Sequence, residues 1–385
     1  TRPSRSARGL RRVALPTAVL AVGCVHRAVY EAPSAEPPAL GRVDAALYLV
    51  GDAGDDTPGR AVVLEHLERD LARHEARHPD APAAVLFLGD NIYEVGARPA
   101  FEAEDFAHLA AQAGVVARAR RADAVFLPGN HDWAKGADDL LALEAVRTQA
   151  EWIRGRIGSD RAVFLPDDGC AGPASMDLGG SVRIVFLDTE WLLRGPESAC
   201  PSPTEVYDAL SAELAANGDR RVVLAAHHPM ATGGPHGGNV GALDHGPFVY
   251  WLAVKAGLGV QDLGSGRYAE MLAGVRRAIR DSGTRPLAFA AGHDHSLQVI
   301  GLEGEGNPFF QLVSGSGSRT TAADRTRGTR WAASAHGYMR LDFGASESRL
   351  TVFAENGEGG GLRAAFSCSL TEDAGSCPPA RLVRR

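Results

Sequence analysis

Ala84-Val85-Leu86-Phe87-Leu88-Gly89-Asp90-Asn91-Ile92-Tyr93 is the stretch on which the fold turns. Ala84 to Leu88 are all apolar and read as a buried strand, and Gly89 breaks the run. An aspartate, an asparagine and a tyrosine then stand at the strand's carboxyl end, where open α/β sheets place their functional groups. The pattern recurs on both sides. Ala45-Ala46-Leu47-Tyr48-Leu49-Val50 leads into Gly51-Asp52-Ala53-Gly54, and Ala124-Val125-Phe126-Leu127 into Gly129-Asn130-His131-Asp132. Arg221-Val222-Val223-Leu224-Ala225 leads into Ala226-His227-His228-Pro229, and Leu287-Ala288-Phe289-Ala290 into Gly292-His293-Asp294-His295.

Between these strands the period changes. Val63, Leu64, Leu67 and Leu71 recur at helical spacing with charges between them. Residues 100–121, 137–157, 204–217 and 267–282 also read as helices, the last two stopped by Gly218 and Gly283. A β-α-β-α-β series implies a parallel sheet with right-handed crossovers. Val182–Asp188 reads as a further strand. Phe309–Val313, Tyr338–Phe343 and Arg349–Phe353 read as consecutive strands without helices, which predicts a second sheet packed on the first. Residues 233–266 are Gly-rich and weakly patterned, and read as a long loop near the site.

The composition is globular, with 45% hydrophobic and 23% charged residues over 385 positions. A net charge of -7 argues against nucleic acid as a partner, since such proteins show a basic face. There is no run of about 18 apolar residues that would read as a spanning helix. Residues 1–24 read as an export signal: Arg2, Arg5, Arg8, Arg11 and Arg12 precede the short apolar segment Val13–Gly23. Leu20-Ala21-Val22-Gly23-Cys24 resembles a bacterial lipobox, with Leu20 one residue earlier than that pattern has it. The expectation is export to the periplasm or cell surface, with a lipid on Cys24 as the sole membrane attachment. Residues 25–43, rich in Ala, Pro and Glu, read as a tether. Residues 44–355 then form the folded domain and 356–385 a C-terminal extension.

Of five cysteines, Cys170, Cys200, Cys368 and Cys377 remain if Cys24 is lipidated. Sequence proximity favours Cys170–Cys200 and Cys368–Cys377, though four cysteines allow three pairings. The alternative is that all are reduced and buried.

Hard oxygen donors and imidazoles gathered at strand ends suit two adjacent metal ions, a device for phosphoryl transfer. The five blocks resemble the calcineurin-like metallophosphoesterase superfamily, and within it the purple acid phosphatases of the small, tartrate-resistant type. Most of the superfamily has Asp-x-His in the first block; this chain has Asp52-Ala53-Gly54 and, in the second, Tyr93. The resemblance covers about residues 44–345. It implies a two-sheet β-sandwich flanked by helices, the four-layer α/β fold of the superfamily. It implies that Asp52, Asp90, Tyr93 and His295 hold one metal, that Asp90, Asn130, His227 and His293 hold the other, and that Asp90 bridges. A phenolate favours Fe(III), and the neutral Asn and His donors a divalent Fe, Zn or Mn ion. The implied activity is hydrolysis of phosphomonoesters, on a small molecule or a phosphoprotein, by a metal-bound hydroxide, with His131 steadying or protonating the leaving oxygen.

Family members carry a further substrate-side histidine about nine residues after the fourth-block ligand. His236 has that spacing, while His245-Gly246-Pro247 has the family-like tripeptide. His236 is preferred. His228 has no assigned role. His26, His66, His74, His78, His108 and His336 read as solvated or structural. Ser314-Gly315-Ser316-Gly317-Ser318 lacks the Lys of a phosphate loop and reads as a tight turn beside the site. Two rival readings stand: a phosphodiesterase or nucleotide hydrolase on the same centre, and a metal- or phosphate-binding lipoprotein without catalysis.

Overall fold

The computed structural model describes residues 29–30, 40–97, 103–135, 139–156, 161–195, 199–237, 261–355, 361–380 and 382–383. The expected export segment with Cys24, most of the expected tether, and His245 lie outside them.

The first half of the chain alternates strands and helices. After β1 (Val29–Tyr30) come β2 (Ala45–Val50), α1 (Pro58–Arg77), β3 (Ala83–Phe87), α2 (Ala103–Gly114), β4 (Ala122–Phe126), α3 (Asp139–Arg156) and β5 (Ala162–Phe164). β6 (Ala174–Leu178), β7 (Val182–Phe186), α4 (Thr189–Arg194), α5 (Pro203–Ala215), β8 (Arg221–Ala225), α6 (Gly266–Ser282) and β9 (Ala288–Ala291) follow. The remainder is β10 (Leu297–Gly301), β11 (Phe310–Ser314), β12 (Thr329–Ala333), β13 (Gly337–Phe343), β14 (Ser348–Glu355), β15 (Leu362–Leu370) and β16 (Leu382–Val383).

Two seven-stranded sheets carry the architecture, in the orders β15-β14-β13-β2-β3-β4-β5 and β12-β10-β11-β9-β8-β7-β6. β2 to β5 are parallel in one, and β7, β8, β9 and β11 in the other. The strands after His293 do not form a sheet of their own. β11 joins β9, while β13 pairs antiparallel with β2, Met339 opposite Leu49. The expected second sheet is therefore built mainly from β6 to β12, and the late strands are shared between the two.

Alternation explains the layering. Leu47, Leu49, Leu86 and Val125 share one core with Ile184, Val223, Ala288 and Leu312, between the sheets. Their neighbours Tyr48, Val50, Phe87 and Phe126 share the other with Val63, Leu67 and Leu71 of α1. Successive strand residues point to opposite faces, so a strand covered on both sides is apolar throughout. The result is helix, sheet, sheet, helix. α1 starts at Thr57, whose side chain accepts the Arg60 N–H at 3.2 Å, and α5 at a capping box of Ser202 and Glu205.

The sheet does not stop at residue 355. β15 pairs with β14 along its length, Leu350 opposite Cys368, and the Cys368–Cys377 disulfide closes the segment behind it. Cys170 is bonded to Cys200. His74 departs from the solvated reading: it lies on the inner face of α1 and is 4% exposed.

Candidate metal centre

All five motifs sit at the carboxyl ends of parallel strands, three on the first sheet and two on the second. The turns that follow are tight. Asp52, Asp90 and His293 have φ of 57°, 54° and 69°, the left-handed region that non-glycine residues enter at a cost. The neighbouring loops hold them there. The His293 N–H donates to Asp52 Oδ2 at 2.9 Å, and the His131 N–H to Asp90 Oδ1 at 2.9 Å. The Ser314–Ser318 turn lies alongside: Gly51 N–H donates to the Ser314 carbonyl at 2.7 Å, and Ser318 Oγ to the Asp52 carbonyl at 2.5 Å. A Cβ at Gly315 would run into Asp52 and Asp294, so the turn needs glycine there.

Two donor sets result. In the first, the Tyr93 hydroxyl lies 3.0 Å from Asp52 Oδ1, 3.0 Å from Asp90 Oδ2 and 3.1 Å from His295 Nε2. One phenol hydrogen cannot fully serve both carboxylates. In the second, two backbone carbonyls settle the tautomers. His227 Nδ1 donates to the Leu88 oxygen at 2.8 Å and His293 Nε2 to the Gln261 oxygen at 3.1 Å. The remaining nitrogens, His227 Nε2 and His293 Nδ1, are then bare lone pairs. They stand 3.2 Å apart, and Asn130 Oδ1 lies 3.0 Å from one and 3.2 Å from the other. With both rings neutral, these lone pairs face one point and suit a cation. Asp90 Oδ1 is 3.5 Å from His227 Nε2, so its carboxylate touches both sets.

Electrostatics agree. Burial would raise the Asp90 carboxyl, but His227, His131 and the His131 N–H bring it down to about 2. Burial and the charges of Asp52 and Asp90 push the Tyr93 phenol well above its ordinary range, so only a cation beside it would ionise it.

His228 also falls geometrically in a cluster with His227 and His293. Its two nitrogens are already engaged. Nδ1 lies 2.9 Å from the Thr189 hydroxyl, and Nε2 donates to Gln261 Oε1 at 2.5 Å; Gln261 Nε2 in turn donates to Glu190 Oε2 at 2.8 Å. Burial, then His227, keeps the ring well below the usual histidine range. Burial also pushes Glu190 up to about 8. His228 is a neutral member of a buried hydrogen-bond chain.

The model of the calcineurin-like phosphoesterase family matches residues 17–256. The chain is a calcineurin-like phosphoesterase. Two solved structures share the fold. "GAP50 the anchor in the inner membrane complex of Plasmodium" aligns at a TM-score of 0.54 and 13% identity, over 86% of this chain and 89% of that one. "Structure of PhoD" aligns at 0.55 and 13%, over 92% of this chain and 73% of that one. A comparison with curated protein sequences finds no match. The family match ends before Gly292, yet β9 brings His293 and His295 to the residues that it covers.

This phosphoesterase gathers every residue expected at the site: Asp52, Asp90, Tyr93, Asn130, His227, His293 and His295 in the donor sets, and His131 and His236 at their edge. His131 Nε2 is 3.9 Å from Asp90 Oδ2, and its Nδ1 donates to the Glu94 carbonyl at 2.5 Å. The His236 ring lies 4.1 Å from that of His293. Its Nδ1 donates to Asp262 Oδ1 at 2.7 Å and its N–H to Asp294 Oδ1 at 3.2 Å.

Four residues were missed. Asp132, fully buried, accepts N–H groups from Asn91, Ile92 and Gly129 and ties the second motif to the third. Asp262 orients His236. Arg319 pairs with Asp55 and Glu94 and lies 4.1 Å over the Tyr93 ring. Lys135 reaches His131. Asp132 stands in a quoted motif and was legible; Asp262 and Arg319 have no local pattern.

Proposed function

We infer that the chain is a phosphoric monoester hydrolase with a dinuclear centre, similar to the purple acid phosphatases. The observation that carries this is the second donor set, where two carbonyl-fixed imidazoles and an amide oxygen converge within 3.2 Å of one another. Asp52, Asp90, Tyr93 and His295 would hold one ion, and Asp90, Asn130, His227 and His293 the other. The residues fit: the first set has two carboxylates and a phenol, suited to Fe(III), and the second is neutral apart from Asp90, suited to divalent Fe, Zn or Mn. Two such ions polarise the phosphoryl group and make water nucleophilic at neutral pH.

The chain's own residues divide the remaining work. With Nδ1–H fixed on Glu94, His131 offers a lone pair at Nε2, and burial, against the pull of Asp90, lowers its basicity. It holds a proton-bearing group beside Asp90. His236 is the opposite case. Burial would lower it, but Asp262 and Asp294 outweigh burial and raise it. It is the better donor to a phosphoryl or leaving oxygen. The substrate is a small phosphomonoester or a phosphoprotein. The N-terminal segment supports export to the periplasm or cell surface, with Cys24 as the lipid-bearing residue.

The test is hydrolysis of p-nitrophenyl phosphate against bis-p-nitrophenyl phosphate by the purified chain and by Asp90→Asn. Monoester turnover, abolished by chelation and by the substitution, is expected. Iron-loaded protein is expected to show a visible tyrosinate band that Tyr93→Phe removes. Inert protein that nevertheless holds two metals refutes the enzyme, and diester preference moves the function to a phosphodiesterase.

A further inference from the structure

The chain has 38 arginines but only two lysines, Lys135 and Lys255, and Lys255 lies outside the described residues. Where arginine is the habitual cation, a lysine marks a place that suits a compact, mobile ammonium better than a planar fork. Lys135 is six residues past Gly129, in the loop that supplies Asn130 and His131. Its Nζ lies 3.2 Å from His131 Nε2. The ammonium must donate there, because the other ring nitrogen already gives its hydrogen to Glu94. The same Nε2 is 3.9 Å from Asp90 Oδ2, so Lys135 stands at the edge of the donor sets. Its charge acts on His131 and Glu94, and also on His236 from the second sheet.

The nearby alternative is already committed. Arg319 is neutralised by Asp55 and Glu94. Among the described residues no carboxylate pairs with Lys135, and its side chain is exposed, free to turn from His131 toward a ligand.

We propose that Lys135 is the substrate-binding cation of the site, and that its ammonium takes a phosphoryl oxygen of a monoester dianion and so favours monoesters over diesters. This rests on the phosphatase reading and adds the source of its selectivity. A phosphomonoester carries close to two negative charges at neutral pH, since its second pKa is about 6. A diester carries one. A single added cation gains more from the dianion.

The experiment compares the metal-loaded full chain with Lys135→Met and Lys135→Arg. Two readouts are used: kcat and KM on the two nitrophenyl esters, and calorimetric titration with inorganic phosphate. Lys135→Met is expected to raise KM for the monoester and the dissociation constant of phosphate about tenfold, the size of one charge-assisted hydrogen bond. The diester, with half the charge, is expected to lose about threefold, and Lys135→Arg to recover part of the loss. Equal loss on both esters, or unchanged phosphate affinity, overturns the proposal. If the parent protein hydrolyses neither ester, the phosphatase reading fails by itself. The phosphate titration still decides Lys135: weaker binding in the Met variant supports it and equal binding overturns it.

Discussion

Asp132→Ala tests what holds the two main site loops together. The carboxylate is fully buried. It takes the Gly129 N–H at 2.8 Å, the Asn91 N–H at 3.0 Å and the Ile92 N–H at 3.3 Å, together with Asn91 Nδ2 at 3.0 Å. Truncation strands three buried backbone donors; the Asn91 amide keeps the Leu127 carbonyl at 2.7 Å. A buried unsatisfied donor costs about 1–3 kcal/mol, which would sum to at least 3 kcal/mol. Water entering the vacated space recovers part of this, so the expected loss is about 3–5 kcal/mol, a large share of a typical domain's stability of about 5–15 kcal/mol. Asp132→Asn keeps one acceptor oxygen and should cost about half as much. Urea unfolding in chelator, followed by tryptophan fluorescence, measures both without any contribution from metal. Trp133 is the adjacent reporter. A loss below about 1 kcal/mol in the alanine variant, with an unchanged denaturant slope, would refute the reasoning.

Two further outcomes are expected. Burial, opposed by Asp342, lowers the His74 pKa below its ordinary value of about 6.5, so near that pH the unfolded chain binds more protons. His74 therefore contributes stability that is present above the ordinary histidine range and lost as pH falls through it. Tm should drop between pH 7.5 and 5.5, the drop should be shallower in His74→Gln, and an unchanged slope would count against the assignment. Gly274 of α6 faces the Tyr207 ring of α5, and a Cβ there would overlap the ring atoms. Gly274→Ala should then destabilise by about 1–3 kcal/mol although alanine is the better helix former, and calorimetry showing a gain would contradict the packing.

The candidate donors were legible because their pattern is local. Each motif follows an apolar run that both cores bury, so strand, turn and donor are read together. Pairing across the sheets was not. Met339 opposite Leu49 is a contact between residues far apart in sequence, and nothing near Tyr338 says that it completes the first sheet rather than starting another. β15 was missed as part of the fold for the same reason, since Leu362–Leu370 alternates only partly and is defined by its partner β14. Asp262 follows a stretch without periodicity, and its role depends on the reach of His236. His74 looked solvated because charged neighbours surround it in sequence, while the helix turns it inward against Tyr48.

The donors are divided between the sheets. Asp52, Asp90, Tyr93 and Asn130 follow strands of one, and His227, His293 and His295 follow strands of the other. Neither half makes a complete set. The site is complete only where both sheets are in place. Loosening the contact between the sheets would therefore dismantle both donor sets at once, without touching a single ligand.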